Sequence, residues 1–249
     1  MSFILPANST TSFNVDHSCT FSSNSGGTSA DHFTINDYAG NGTSLTTRTY
    51  SLWIKRSATG YAVLFMSTTG DHWVINENNT IQFNIGSGTD SRRVTSGSYT
   101  STSAWIHIVF AYDTTQGTAG NRFTLWINGT ETSTSVVSGK NDVQQDEESN
   151  VFINGNLSRI GTDNEGGGYN GLMAEFVFID GLKLDADSFG YNDGGTWKPI
   201  DVSELTFGTN GFYLNFENAS DLGIDAANDN DFEPVNIVSG NQSNDTPTS

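Results

Sequence analysis

One carboxylate, Glu175, lies in the middle of the otherwise apolar run NGLMAEFVFIDG (170–181), a setting that raises the question of a buried catalytic acid. Acid-catalysed cleavage of a glycosidic bond needs two carboxyl groups across that bond, about 5–5.5 Å apart for retention and about 6.5–9.5 Å for inversion. On a strand, positions i, i+2 and i+4 share a face. From Glu175 those positions are Val177 and Ile179 forward and Met173 and Gly171 back, none of them acidic, and Asp180 points to the opposite face. A same-strand pair is therefore missing, while a partner from a neighbouring strand stays open. The expectation is a structural role for Glu175 and no enzyme. Nucleophilic catalysis is no better served: there is no G-x-S-x-G, a single Cys19, and His107 sits inside the apolar run WIHIVFAY as a satisfied sheet histidine.

Two further groups of residues carry possible chemistry. In IDAANDNDFE, Asp225, Asn228, Asp229 and Asp231 offer hard oxygen ligands from one short loop, as a calcium ion requires. Counted as an EF-hand from Asp229, the loop fails, with Pro234 at the sixth position and Gly240 at the twelfth. The alternative is a solvated turn whose Asn and Asp side chains cap backbone groups. The loop GTDNEGGGYNG (161–171) supplies Asp163, Asn164, Glu165, Tyr169 and Asn170, an aromatic beside amides and acids, which is the mixture a sugar needs for its apolar face and hydroxyl rim. Trp73 in GDHWVIN and Trp197 in GGTWKP are additional exposed-aromatic candidates, whereas Trp53, Trp105 and Trp126 read as structural.

The elements that must position these residues are strands. Tyr50, Leu52 and Ile54 alternate with Ser51, Trp53 and Lys55, and Ile81, Phe83 and Ile85 alternate with Gln82 and Asn84. In NRFTLWINGTETSTSV, Asn128-Gly129 supplies the positive φ angles of a tight hairpin. WIHIVFAY (105–112) and LMAEFVFI (172–179) are apolar on both faces, so they are predicted central strands covered on both sides. Only LDADSFG (184–190) suggests a helical turn, with Asp185 capping its free N–H groups. The predicted fold is all-β, a two-sheet antiparallel sandwich with very little helix. An N-terminal arm at 1–11, a sandwich at 12–237 and a polar tail or linker at 238–249 complete the expected organisation. The stretches 11–47 and 140–150 read as long loops.

Composition narrows the partners. The chain has 249 residues, a net charge of −18 and only 15% charged residues, against a usual share of about 25%. Its surface is therefore built mainly from Ser, Thr, Asn and Gly, which suits neutral polar ligands or protein lattices. Repulsion from phosphates argues against nucleic acid, and no apolar run approaches the ~18–20 residues that span a bilayer, so no membrane insertion is expected. One cysteine leaves no internal disulfide to supplement the core.

The segments YSLWIKRSATGY, SAWIHIVFAYDTTQGTAGNRFTLWINGT and YNGLMAEFVFIDGLKLDADSFG resemble, in order, the three signature blocks of laminin-G-like, concanavalin A-like lectin/glucanase domains. The chain is more similar still to the version found in marine bacteriophage tail-fibre and other virion proteins, where a segment like GTNGFYLNFENASDLGIDAANDNDFEPVNI follows the third block. The resemblance implies a concanavalin A-like jelly roll, a glycan platform, and often calcium near its rim. It also implies a virion location, as a fibre or receptor-binding module for neutral or cationic host-surface glycans and a homo-oligomer, trimeric if a fibre. The rivals are a decoration or cement protein binding neighbouring virion subunits, which the lack of heptads favours, and a polysaccharide-degrading glycosidase.

Overall fold

The computed structural model describes residues 13–23, 30–86, 90–163 and 165–249; the expected arm at 1–11 lies outside them. In chain order the strands are β1 (Ser18–Phe21), β2 (His32–Ile35), β3 (Thr47–Arg56), β4 (Ala62–Ser67), β5 (His72–Ile75) and β6 (Ile81–Ile85). Then come β7 (Ser91–Thr95), β8 (Ile106–Asp113), β9 (Phe123–Ile127), β10 (Thr130–Glu131), β11 (Thr134–Val136) and β12 (Ser158–Ile160). The last are β13 (Gly171–Asp180), β14 (Gly190–Asp193), β15 (Thr196–Pro199), β16 (Phe212–Leu214), β17 (Glu233–Val235) and β18 (Gln242–Ser243).

They form two large antiparallel sheets. The first has the order β10-β9-β8-β3-β13-β1-β18, with β16 also paired to β13; the second runs β11-β7-β6-β5-β4-β12-β2-β17. The alternation seen in the sequence places Tyr50, Leu52 and Ile54 of β3 between the sheets, against Leu64, Phe65, Trp73 and Phe83 from the opposite layer. Fully burying each such side chain contributes about 1.5–3 kcal/mol. Helix among the described residues is confined to single 3-10 turns, so the two-sheet jelly roll with very little helix is what folds. The turn at Ala186–Ser188 follows Asp185 as expected, but Asp185 makes no side-chain cap; instead it accepts the Ser188 hydroxyl.

β8, β3 and β13 are central, β8 and β13 as their apolar character on both faces requires. Their outer face is covered by the excursion that leaves β13: Ala186, Phe189, Val202 and Phe207 pack on Val109, Val177 and Ile179. This excursion carries the β14-β15 hairpin, which lays Trp197 beside the exposed part of the first sheet. The β9-β10 hairpin turns at Asn128 (φ 48°) and Gly129 (φ 73°), as predicted. Gly129 is needed twice over, because a Cβ there would also stand only 2.2 Å from the Trp197 ring.

Two sequence readings are corrected. The stretch 11–47 is not one long loop, since β1 and β2 lie within it and pair with β13 and β12. Residues 238–249 do not stand off the sandwich as a tail: β18 pairs with β1, and the Asp245 carboxylate holds both Lys55 and the Trp105 indole. A polar sequence docks here because its polar groups find partners at a sheet edge, which composition does not reveal.

Candidate functional site

The 161–171 loop does not form the expected platform. Tyr169 is fully buried against Phe21, and its hydroxyl donates to the Leu172 carbonyl. Asp163 accepts the N–H groups of Glu165 and Gly167 and the Tyr61 hydroxyl, while the Asn170 side-chain oxygen accepts the Ser23 N–H. Glu165 is exposed, and Asn164 lies outside the described residues. Trp73 is likewise corrected from an exposed aromatic to a core one: β5 turns it inward, where it stacks on Phe65 with ring centroids 4.5 Å apart.

The 225–231 loop caps itself. Each oxygen of the buried Asp225 carboxylate accepts two backbone N–H groups, from Tyr213 and Ala227 on one and from Asn228 and Asn230 on the other. Asp231 accepts the Asp225 N–H, and Asn228 directs its amide N–H2 to the Gly208 and Gly211 carbonyls. Asp229 is exposed. A calcium ion needs six to eight oxygens, and a carboxylate with four N–H partners has none left to give. No three His, Cys, Asp or Glu side chains among the described residues converge on a metal position. The donor set therefore does not fit calcium, and the self-capped turn is what forms.

Three tryptophans, Trp53 buried and Trp105 and Trp197 half-buried, come together elsewhere. A cleft of about 430 Å3 on the outer face of the first sheet is lined by Trp53, Trp105, Asn128, Thr130, Asn192, Gly195, Thr196 and Trp197. Trp53 stacks on His107 (centroids 4.7 Å apart, planes 22° apart), and His107 lies near-parallel to Trp197 at 6.1 Å. The Trp197 indole N–H donates to His107 Nδ1 at 2.8 Å, and an indole can only donate. Nδ1 is therefore an acceptor, which puts the proton on Nε2, from where it bonds Ser51 Oγ at 2.8 Å. Burial pushes the His107 pKa down to about 3, so the ring stays neutral and the tautomer is locked. Trp105 is held from its far side by Asp245.

The rim keeps hydrogen-bonding capacity in reserve. Asn128 uses its side-chain oxygen on the His107 N–H, and Asn192 uses its own on the Gly195 N–H. Their N–H2 groups and the exposed Thr130 and Thr196 hydroxyls have no partner among the described residues. No charged residue lines this cleft. A fixed aromatic floor ringed by neutral donors is what an uncharged polyhydroxylated ligand requires. Of these residues only Trp197 was expected as a ligand contact. Trp53 alternates with Tyr50, Leu52 and Ile54 and so faces outward, where Trp105 and Trp197 pack on it and bury it, in keeping with the structural role read from the sequence.

Glu175 faces the same side of the sheet. β1 pairs with β13 up to Met173 and β16 from Phe176, and the β13–β3 register shifts between Ala174 and Val177. Glu175 occupies this bulge at φ 50°. It lines a second cleft, of about 390 Å3, with Phe13, Asp16, Asp201, Tyr213 and Glu217. Burial, reinforced by Glu217 and Asp201, pushes its pKa up to about 8 against the Tyr213 hydroxyl bond to Oε2. Asp16, Asp201 and Glu217 thus share a cleft with Glu175 but come from the segments between strands, not from the neighbouring strand that the sequence left open.

Comparison with curated proteins finds no match. Among solved structures, one assigned provisionally as a carbohydrate-binding protein of Bacteroides ovatus superposes with a TM-score of 0.65 at 11% identity, over 95% of this chain and 62% of that one. The chain thus spans under two thirds of that protein's length, and the likeness is one of fold. A heptameric SAP-like pentraxin of Limulus polyphemus (TM-score 0.48, 14% identity, 68% of this chain and 78% of that one) and a Trypanosoma rangeli sialidase (0.38, 11%, 57% and 21%) are more distant. A laminin-G-type profile described as the concanavalin A-like lectin/glucanases superfamily matches residues 25–187. With a lectin-like sandwich throughout and most of its length matched, the chain belongs to that superfamily.

Proposed function

We propose that this protein is a non-enzymatic glycan-binding module that takes a neutral sugar unit in the Trp53–Trp105–Trp197 cleft. The carrying observation is the locked Trp53–His107–Trp197 stack under a rim of unused amide and hydroxyl donors. The Bacteroides ovatus likeness supports a fold that accommodates such a site. The resemblance of the 208–237 segment to phage proteins supports a virion setting, in which the module is a fibre or receptor-binding part engaging host-surface glycans. A glycan array on the purified protein, with a reducing-sugar assay on every positive, tests the reading. Binding of neutral glycans without sugar release is expected; release of sugar makes the protein a glycosidase. An empty array favours the rival virion role, a decoration subunit that binds other virion proteins.

A further inference from the structure

The second cleft differs from the rest of the surface in how its acids are left. The five ion pairs found among the described residues engage Asp90, Asp142, Asp193 and Asp245. Asp16, Glu175, Asp201 and Glu217 all line the cleft, and none has a cationic partner among the described residues; no Lys, Arg or His lines it. Glu175, only 7% exposed, lines the cavity; its Oε2 accepts the Tyr213 hydroxyl, and its Oε1 has no partner among the described residues. Once ionised, a carboxyl group so buried leaves half of its accepting capacity open to a donor. The other walls are Phe13, Val15, Ala226 and the Tyr213 ring, apolar surface beside the acids.

We infer that this cleft binds an organic ammonium group, carried by an amino sugar or an alkylamine. A metal ion is a poorer occupant, because no three acidic side chains converge closely enough to ligate one. An ammonium group is held by a single carboxylate with apolar surface beside its carbon chain, whereas a metal ion requires several converging oxygens. The charged groups facing Glu175 are Asp16 from the segment before β1, Asp201 from the loop after β15 and Glu217 from the segment after β16, with the Tyr213 hydroxyl on β16. Glu217 and Asp201 oppose ionisation of Glu175. A cation among them reverses that balance, so ammonium binding is accompanied by loss of the Glu175 proton to solvent.

Isothermal titration at about pH 6.5, where the linkage is open, tests this on the full chain in two buffers of different ionisation enthalpy. The ligands are a glucosamine tetramer, its fully N-acetylated counterpart, and putrescine. The glucosamine tetramer is expected to bind at least about tenfold more tightly than the acetylated one, with proton release. Glu175→Gln is expected to abolish the release and the preference. Asp201→Asn with Glu217→Gln, both at exposed positions, is expected to weaken the preference without touching the core. Putrescine binding with the same release assigns recognition to the ammonium alone; binding of the sugar amine only assigns it to amino sugars. Equal affinities with no proton release, or a preference that survives both variants, overturns the inference. Trp197→Ala separates it from the neutral-glycan reading: that variant loses the acetylated ligand and keeps the amine response.

Discussion

The 161–171 loop and the tryptophan cleft contain much the same residue types, an aromatic among amides and hydroxyls, yet they spend their hydrogen-bonding capacity differently. In the loop, Asp163 and Asn170 accept N–H groups of the chain itself, and Tyr169 lies wholly inside. In the cleft, Asn128 and Asn192 satisfy the protein with one end of each amide and leave the other end free. What separates a binding surface from a capped loop here is leftover hydrogen-bonding capacity beside fixed apolar area, not the presence of the residues.

The sharpest way to break this comparison is to remove both aromatics. Tyr169→Ala is expected to cost about 3–5 kcal/mol of stability, as for other large core truncations, while leaving glycan affinity in the folded fraction unchanged. Denaturant unfolding and titration on the same sample check both halves. Trp197→Ala is expected to do the reverse, lowering neutral-glycan affinity at least tenfold, or about 1.4 kcal/mol, because it removes a wall and frees the His107 ring. Loss of affinity in the Tyr169 variant would return the site to the loop.

Glu175 sharpens the contrast between the two clefts. Its folded pKa, about 8, stands above the ordinary carboxyl value of 4.5, so the fold retains a proton that the unfolded chain gives up. Its contribution is complete below pH 4.5 and is lost as pH rises to about 8. Glu175→Gln is therefore expected to match the parent at acid pH and to exceed it by on the order of 1 kcal/mol or more at and above pH 8. Urea unfolding across that range checks it; parallel curves would mean that the proton is not held. The smallest effect is expected from calcium removal. With the Asp225 carboxylate already taken by four N–H groups, EDTA should leave the melting midpoint unchanged, and a lower midpoint would restore a metal to that loop.

The strands were legible because burial imposes period-two alternation, and the hairpin because Asn128 and Gly129 adopt positive φ. The superfamily was legible in the same strands. The site was much less so. Trp73 and Tyr169 sit in short segments flanked by Gly, Asp and Asn, which look exposed until the second sheet is laid over them. Trp105 reads as core from the run WIHIVFAY, but it sits half-buried just before β8, where Asp245 tethers it. The acids around Glu175 lie 26 or more positions from it in the chain, and no local pattern could gather them; the bulge that turns Glu175 toward them is a register shift against β3.

The most direct test of a neutral-sugar site in the aromatic cleft is titration of an array-positive uncharged oligosaccharide into the parent protein and Trp197→Ala under identical conditions. Saturable binding by the parent and at least about tenfold weaker binding by the folded variant is the predicted result. Equal affinity for the two proteins would contradict it.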